Sequence, residues 1–266
     1  MLISHECPIA ALPTSVSFND YDYCLVHLLE THSAYLGFYD KSRRNNRELL
    51  LDNSIFELGT AFNSDKFADW VKKLTPSYYV IPDVLENSEA TITSYQNFLK
   101  SYPDLPGLRI GVVQGKTYQE LVDCYQHMAK YSDYIALSFD LSYYQTTGFG
   151  VNKLQRQCSG RQKLIESFIR DGIYRADKPH HLLGASLMSE FNWYVRNNIP
   201  GIRSCDTSNP IVAAIEGIRY SSDLGLNQKP KTKLIEYIDL SLEDYKKCEK
   251  LVEYNTDWFR KAVNGI

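Results

Sequence analysis

Short apolar runs recur along the chain, most of them ending in a polar or acidic residue. They span Cys24–Leu29, Glu48–Asp52, Tyr78–Asp83, Leu108–Gln114, Tyr134–Asp140, His181–Ser186 and Gly201–Asp206. Between them lie stretches of helical period. Residues 60–74 put Phe67, Trp70, Val71 and Leu74 on one face, and residues 87–100 align Ile92, Tyr95 and Leu99 behind Asn87. Thr117 and Glu120 form a capping box for a helix carrying Leu121, Cys124, Tyr125 and Met128. Further helices fit 161–171 and 188–198, and Asn209-Pro210 reads as a cap followed by a first helical residue. The last segment, 241–263, is a long amphipathic helix opened by Ser241-x-x-Asp244, expected on the outside of the fold.

Strand and helix therefore alternate, with strands about 30 residues apart over Leu50, Val80 and Val112. Seven such strands and one from the N-terminal segment make eight, and a chain of 266 residues has the length of a (β/α)8 barrel. A doubly wound open sheet is the alternative, although no G-x-G-x-x-G turn follows any strand. The interval 141–180 is too long for one connection and predicts an insertion that acts as a lid or touches substrate. No composition break divides residues 1–266, so one domain is expected.

Composition narrows the class. The chain is 44% hydrophobic and 23% charged, an ordinary globular balance, with 20 tyrosines against 11 phenylalanines. Its net charge of −3 means that any nucleic-acid role must rest on local basic patches. The N-terminus lacks the basic and apolar regions of a signal peptide, and no run is long enough to cross a membrane. Six cysteines stand singly at 7, 24, 124, 158, 205 and 248, which fits reduced thiols in the cytoplasm and offers no zinc-binding pair.

In a barrel, chemistry sits at the C-terminal ends of the strands. The residues expected there are Asp52, Asp83, Gln114, Asp140 and Asp206. A single aspartate before a helix can be a cap; several acids and an amide aimed at one mouth can instead shift one another's protonation. His180 and His181 begin a strand and His27 lies inside one, so no Ser-His-Asp triad is expected. No lysine ends a strand, which argues against Schiff-base chemistry. What remains is paired-carboxylate work, with one acid attacking a sugar carbon and another protonating the leaving group.

Six blocks in order, "LLDNSIFELG" (50–59), "YVIPDVLENSEAT" (79–91), "IGVVQGKTY" (110–118), "YIALSFD" (134–140), "HLLGAS" (181–186) and "SCDTS" (204–208), resemble the tRNA-guanine transglycosylase superfamily. The resemblance covers about residues 48–210 and implies a (β/α)8 barrel that exchanges a guanine base. It makes Asp206 the nucleophile at the sugar C1′ and Asp52 the acid/base carboxylate. Asp83 would read the N1/2-amino edge of the base, and Gln114, followed by Gly115, its carbonyl oxygen. Phe56 would stack on the base, with Leu183 as a second apolar wall. Ala136 and Leu137 replace the family's Gly-Gly-Leu block, and "DNSIF" replaces its Asp-Ser-Gly-Gly-aromatic loop.

The family's Cys-x-Cys-x2-Cys…His zinc module has no counterpart. The chain is therefore most similar to the compact, bacteriophage-type 7-deazaguanine DNA-transglycosylase (DpdA) branch, which inserts a free 7-deazaguanine such as 7-cyano-7-deazaguanine (preQ0) into DNA. Such a target base must leave its stack. Lys41, Arg43, Arg44 and Arg47 before the Asp52 strand form one set of basic residues for the phosphates. Lys153, Arg156, Arg161 and Lys163, beside Tyr143, Tyr144 and Phe149, form a second, and Lys229, Lys231 and Lys233 a third. The set before Asp52 could also lie on the face opposite the site. With Asn209 serving as cap, Asp206 would be left free for chemistry. Alternatives are a compact enzyme acting on tRNA, an inactive nucleic-acid-binding homologue and an unrelated carboxylate-pair glycosidase. No metal or redox cofactor is implied.

Overall fold

The computed structural model describes residues 1–185, 187–221, 230 and 232–264. Its strands are β1 (Leu2–Ser4), β2 (Asp22–Leu25), β3 (Leu49–Asp52), β4 (Tyr78–Val80), β5 (Leu108–Val113), β6 (Tyr134–Leu137), β7 (His180–Leu182) and β8 (Ile202–Asp206). They form one sheet in the order β1-β8-β7-β6-β5-β4-β3-β2, every adjacent pair parallel. From β2 to β8 each strand lies beside the next in sequence, and β1 comes round to lie beside β8. This is a (β/α)8 barrel; a doubly wound sheet would reverse its order midway.

The barrel is nearly closed, because no ladder joins β1 to β2. The turn before β2 bridges that seam. Asn19 accepts the His5 N–H through Oδ1 at 2.7 Å and donates Nδ2–H to the His5 carbonyl at 3.0 Å. Asp20 donates its backbone N–H to Ile3 O at 2.9 Å and accepts the Ile3 N–H on its carboxylate at 2.8 Å. The edge groups of β1 are thereby paired without a strand beside them.

Strands are shorter than their apolar runs. The run Cys24–Leu29 divides: β2 ends at Leu25, and Val26–Thr31 is helical, so His27 lies on a helix. A short buried apolar run looks alike in either state, and only packing separates them. Helix starts were better marked. Asn63, Asn87 and Asn152 accept the third backbone N–H of the helices Ser64–Leu74, Ser88–Ser101 and Lys153–Arg170, and Thr117 with Glu120 forms the capping box. The expected 161–171 helix is thus the second half of a longer one.

The 141–180 insertion is a pair of helices, Ser142–Thr147 and Lys153–Arg170, packed on each other. Glycine makes that contact possible: a Cβ on Gly160 would lie 2.5 Å from the Tyr144 backbone, and one on Gly148 1.9 Å from Arg156 O. The C-terminal helix Leu242–Asn264 packs outside the barrel on the helices Met188–Arg196 and Asn209–Ile215. There the buried Asn255 joins the Tyr220 N–H and the carbonyls of Pro210 and Ile218. Among the described residues no helix is long and apolar enough to cross a membrane.

Asn19 carries two of the bonds across the open seam. Asn19→Ala is expected to lower stability by about 1–3 kcal/mol, the cost of leaving buried backbone groups unpaired. Urea denaturation measures it, and amide exchange at His5 should quicken.

Candidate active site

At the C-terminal end of the barrel lies a cavity of about 800 Å3. Asp52, Phe56, Asp83, Gln114, Lys153, Leu183 and Asp206, singled out in the sequence, all line it. Asp140 lines it too, exposed at the rim, where Lys153 pairs with it at 3.1 Å and Gln157 donates to it.

Asp52 closes β3 and turns into Asn53-Ser54. Ser54 takes a left-handed backbone (φ 59°), and its N–H donates to Asp52 Oδ2 at 2.7 Å. Asn53 crosses to the next strand, donating to Asp83 Oδ1 at 2.8 Å while its own Oδ1 accepts the Ile55 N–H. Asp83 Oδ2 accepts from Gln114 Nε2 at 2.7 Å, and Gln114 Oε1 accepts the Glu86 N–H at 3.0 Å. Asp83 and Gln114 thus hold each other.

Burial raises the pKa of both acids. For Asp52 it is joined by the repulsion of Glu57, offset by the Ser54 N–H, and then by the charges of Asp206 and Asp83, so its carboxyl sits well above the usual range. For Asp83 burial is partly offset by the bonds from Asn53 and Gln114. Of these two acids, Asp52 is the more disposed to carry a proton.

Asp206 ends β8 in a different setting. His181 Nε2 lies 2.9 Å from its Oδ1, and the Gly184 N–H reaches Oδ1 at 3.1 Å and Oδ2 at 3.2 Å. The register of β7 on β8 shifts between His180 and His181, which brings His181 level with Ser204. The sequence leaves His181 out of the expected site, since it places the residue at the start of a strand, remote from the mouth. A signal was present: strand alternation that turns Leu183 inward turns His181 inward as well. The short length of β7, three residues, brings that position within reach of Asp206. Asn53 was missed for a simpler reason, because its role depends on a cross-strand partner.

Several expected contacts do not form. Arg161 is fully buried and cannot meet a phosphate. It pairs with Glu190 through Nε at 2.7 Å and Nη2 at 3.0 Å, and spends its remaining donors on the carbonyls of Leu137, Leu183 and Gly184. All five guanidinium N–H groups are used. The residue is a clamp on the ends of β6 and β7, not a surface cation. Arg43 and Arg44 close the helix Ser33–Arg44, which runs down to the start of β3, and both pair with Asp40. Arg47 binds Asp22 at the start of β2. This set occupies the N-terminal face, opposite the cavity. Arg156 bonds the Gly150 carbonyl beside the cavity without lining it. Ala136 and Leu137 lie deeper than the wall, with the Leu137 carbonyl taken by Arg161 and the Leu183 N–H; Ser138 and Phe139 form the wall there. Gly115 also lies off the wall, its Cα packed so closely on the Tyr118–Tyr131 helix that a Cβ would approach Leu121 N to 3.1 Å.

Asn209 is not the cap. It is the first helical residue, behind Ser208, with its N–H on Thr207 Oγ1 at 3.2 Å. Lys233 lines the cavity with its ammonium 5.8 Å from the Phe56 ring centre, while Lys229 and Lys231 lie outside the described residues. Leu154 and Gln157, from the insertion, also line the wall, so that segment touches the site. Among the described residues no three His, Cys, Asp or Glu side chains come together as metal ligands.

No protein-family model matches the chain, and no curated protein does. Among the solved structures that match is that of protein CitE from Mycobacterium tuberculosis in complex with magnesium, acetoacetate and coenzyme A. It is 8% identical, with a TM-score of 0.42 over 95% of this chain and 98% of that one. Nothing about this chain's chemistry follows from a likeness that distant.

Two outcomes are expected from the site itself. Asp52 and Asp83 hold protons more tightly folded than unfolded, so stability falls as pH rises from about 4, the ordinary carboxyl value, through their raised values. Asp52→Asn removes its share of that loss. The variant should be more stable at neutral pH, by about 0.5–2 kcal/mol, with the gain vanishing below about pH 4. Thermal melts across pH measure it. Arg161→Met should cost about 3–5 kcal/mol in urea denaturation, because Glu190 is left buried and unpaired; a surface phosphate contact would leave stability unchanged.

Proposed function

We propose that this chain exchanges guanine in DNA for a 7-deazaguanine base, such as 7-cyano-7-deazaguanine, through a covalent glycosyl-aspartate. One observation carries the reading. Asp52, Phe56, Asp83, Gln114, Leu183 and Asp206 come from five separate sequence blocks, and all six line one cavity. Its volume, about 800 Å3, suits a nucleotide-sized ligand. DNA rather than tRNA follows the resemblance to the compact branch of the superfamily.

In this reading Asp206 attacks C1′ of the target nucleotide. The C1′–N9 bond breaks, and guanine departs with its electron pair and takes a proton from Asp52. The incoming base returns its N9 proton to Asp52 and attacks C1′, releasing Asp206 as a carboxylate. A glycosidic or glycosyl-ester bond persists throughout, so no nucleoside triphosphate is consumed. Asp83 and Gln114 meet the polar edges of the base, and Phe56 supplies a stacking face. Among the described residues, Lys233 and Lys153, the latter beside Asp140, are the lysines at the cavity that flanking phosphates could meet.

The deciding experiment incubates the protein with labelled 7-cyano-7-deazaguanine and either duplex DNA, single-stranded DNA or tRNA. Label in DNA is expected. Label only in tRNA would move the chain to the tRNA enzymes, and sugar release without incorporation would make it a glycosidase. Asp206→Asn should lower exchange at least about 10³-fold; activity that survives it would show that Asp206 is no nucleophile. Glu57 repels the ionised form of Asp52. Glu57→Gln should therefore lower the pKa of Asp52 and move the alkaline limb of the rate profile to lower pH.

A further inference from the structure

The setting of Asp206 contains an asymmetry that base exchange by itself does not require. Among the described residues its Oδ1 has two donors within reach, His181 Nε2 at 2.9 Å and the Gly184 N–H at 3.1 Å, whereas Oδ2 has the Gly184 N–H alone, at 3.2 Å. The His181 ring is fully buried. Tyr23 stacks on it at 6.3 Å between ring centres, and Tyr21 and Tyr134 meet it edge-on at 6.4 Å. Its Nδ1 lies 2.9 Å from Ser204 Oγ, which lies 2.5 Å from the Tyr134 hydroxyl. Both ring nitrogens are thus engaged, and three aromatic rings surround the imidazole.

A carboxylate oxygen only accepts, so Nε2 must carry the hydrogen. In the neutral ring Nδ1 then accepts from Ser204, and Ser204 accepts from Tyr134. The Asp206 carboxylate thereby sets the tautomer, and the buried hydroxyls of Ser204 and Tyr134 can pair with the nitrogen behind it.

We infer that His181 is a positioning residue that selects the attacking oxygen of Asp206 and holds the other through the covalent intermediate. The inference rests on the base-exchange reading. Attack comes from Oδ2, the oxygen with fewer donors, and forms the C1′–Oδ2 bond as the base departs with the C1′–N9 electron pair. Oδ1 becomes the ester carbonyl and keeps its bonds to His181 and Gly184. When the second base attacks C1′, the C1′–Oδ2 pair returns to Asp206 and the charge spreads over both oxygens. The donors already at Oδ1 stabilise that charge as it develops. His181 therefore assists breakdown of the glycosyl ester, while in the first step it stabilises the resting carboxylate and restrains attack.

Removing the donor should split the two steps. His181→Phe keeps a ring in the same cage but cannot donate, and trapping on denaturing gels should show the protein–nucleic acid adduct accumulating. Ester breakdown should slow about 10²-fold, the scale of one lost donor at a developing oxyanion. His181→Gln, whose amide can donate from nearly the same place, should restore breakdown. Ser204→Ala, which leaves the ring but frees Nδ1, should fall between. A loss of folding alone would not make the adduct accumulate.

Nitrogen NMR of the unliganded wild-type protein gives an arm independent of activity. It should find His181 protonated at Nε2, with that resonance shifting in Asp206→Ala. A ring protonated at Nδ1 alone would overturn the inference. So would a His181→Phe protein that exchanges bases at the wild-type rate without accumulating adduct. If wild-type protein exchanges no base on DNA or tRNA, the base-exchange reading falls and the ester-holding role with it. The NMR arm then still decides whether His181 donates to Asp206.

Discussion

Three carboxylates buried around one barrel mouth are the constraint from which most of this architecture follows. An ionisable group taken out of water must be neutralised or supplied with donors, and here the remedies differ from strand to strand. Asp52 has one backbone N–H against burial and neighbouring negative charge, and its carboxyl is pushed well upward. Asp83 is held between two side-chain amides. Asp206 has a histidine and a backbone N–H. The unusual local features of the mouth, including the left-handed Ser54, the Asp83–Gln114 pair and the register shift at His181, sit beside these acids.

The donors have to be held in place as well. Gly184 presents its N–H to Asp206 in a left-handed conformation (φ 63°), and its carbonyl is fixed from behind by Arg161. The same guanidinium ties down the Leu137 and Leu183 carbonyls and lies 4.9 Å from the centre of the Phe139 ring on the cavity wall. A buried ion pair such as Arg161–Glu190 brings little net stability over an apolar replacement. Its contribution here is geometric, because three of the five directional bonds of Arg161 hold the ends of two adjacent strands while the other two anchor it to Glu190. The helix that carries Arg161 belongs to the insertion, whose other residues reach the cavity. Substrate-contacting surface and carboxylate support are therefore built on one element.

Much of this was legible in the chain. Alternating apolar runs and helical periods announce a βα repeat, the asparagine and threonine caps mark helix starts, and polar residues after apolar runs mark the mouth. Asp52, Asp83, Gln114 and Asp206 follow from those local rules because each sits within a residue or a few of a strand's end. What escaped the sequence were the partners. Arg161 looked like a phosphate ligand beside Lys153, Arg156 and Lys163, because periodicity places a charge on a helix without saying what packs over that face. Arg43 and Arg44 shared a loop with the Asp52 strand in sequence but occupy its far end in space. His181 looked like the start of a strand, yet β7 is so short that its beginning is already near the mouth.

The sequence by itself determined the order of strands and helices along the chain, since alternation, helical period and capping are properties of neighbouring residues; strand pairing then decided for the barrel over a doubly wound sheet. It also placed the principal acids at the ends of their strands. Only the tertiary structure decided which of them would hold a proton, which oxygen of Asp206 would be left less encumbered and which basic residues would face solvent. Those outcomes depend on burial and on hydrogen bonds between residues such as Asn53 and Asp83, Arg161 and Glu190, or His181 and Asp206. Such partners are brought together by closure of the barrel, and no local pattern along the chain encodes their distance.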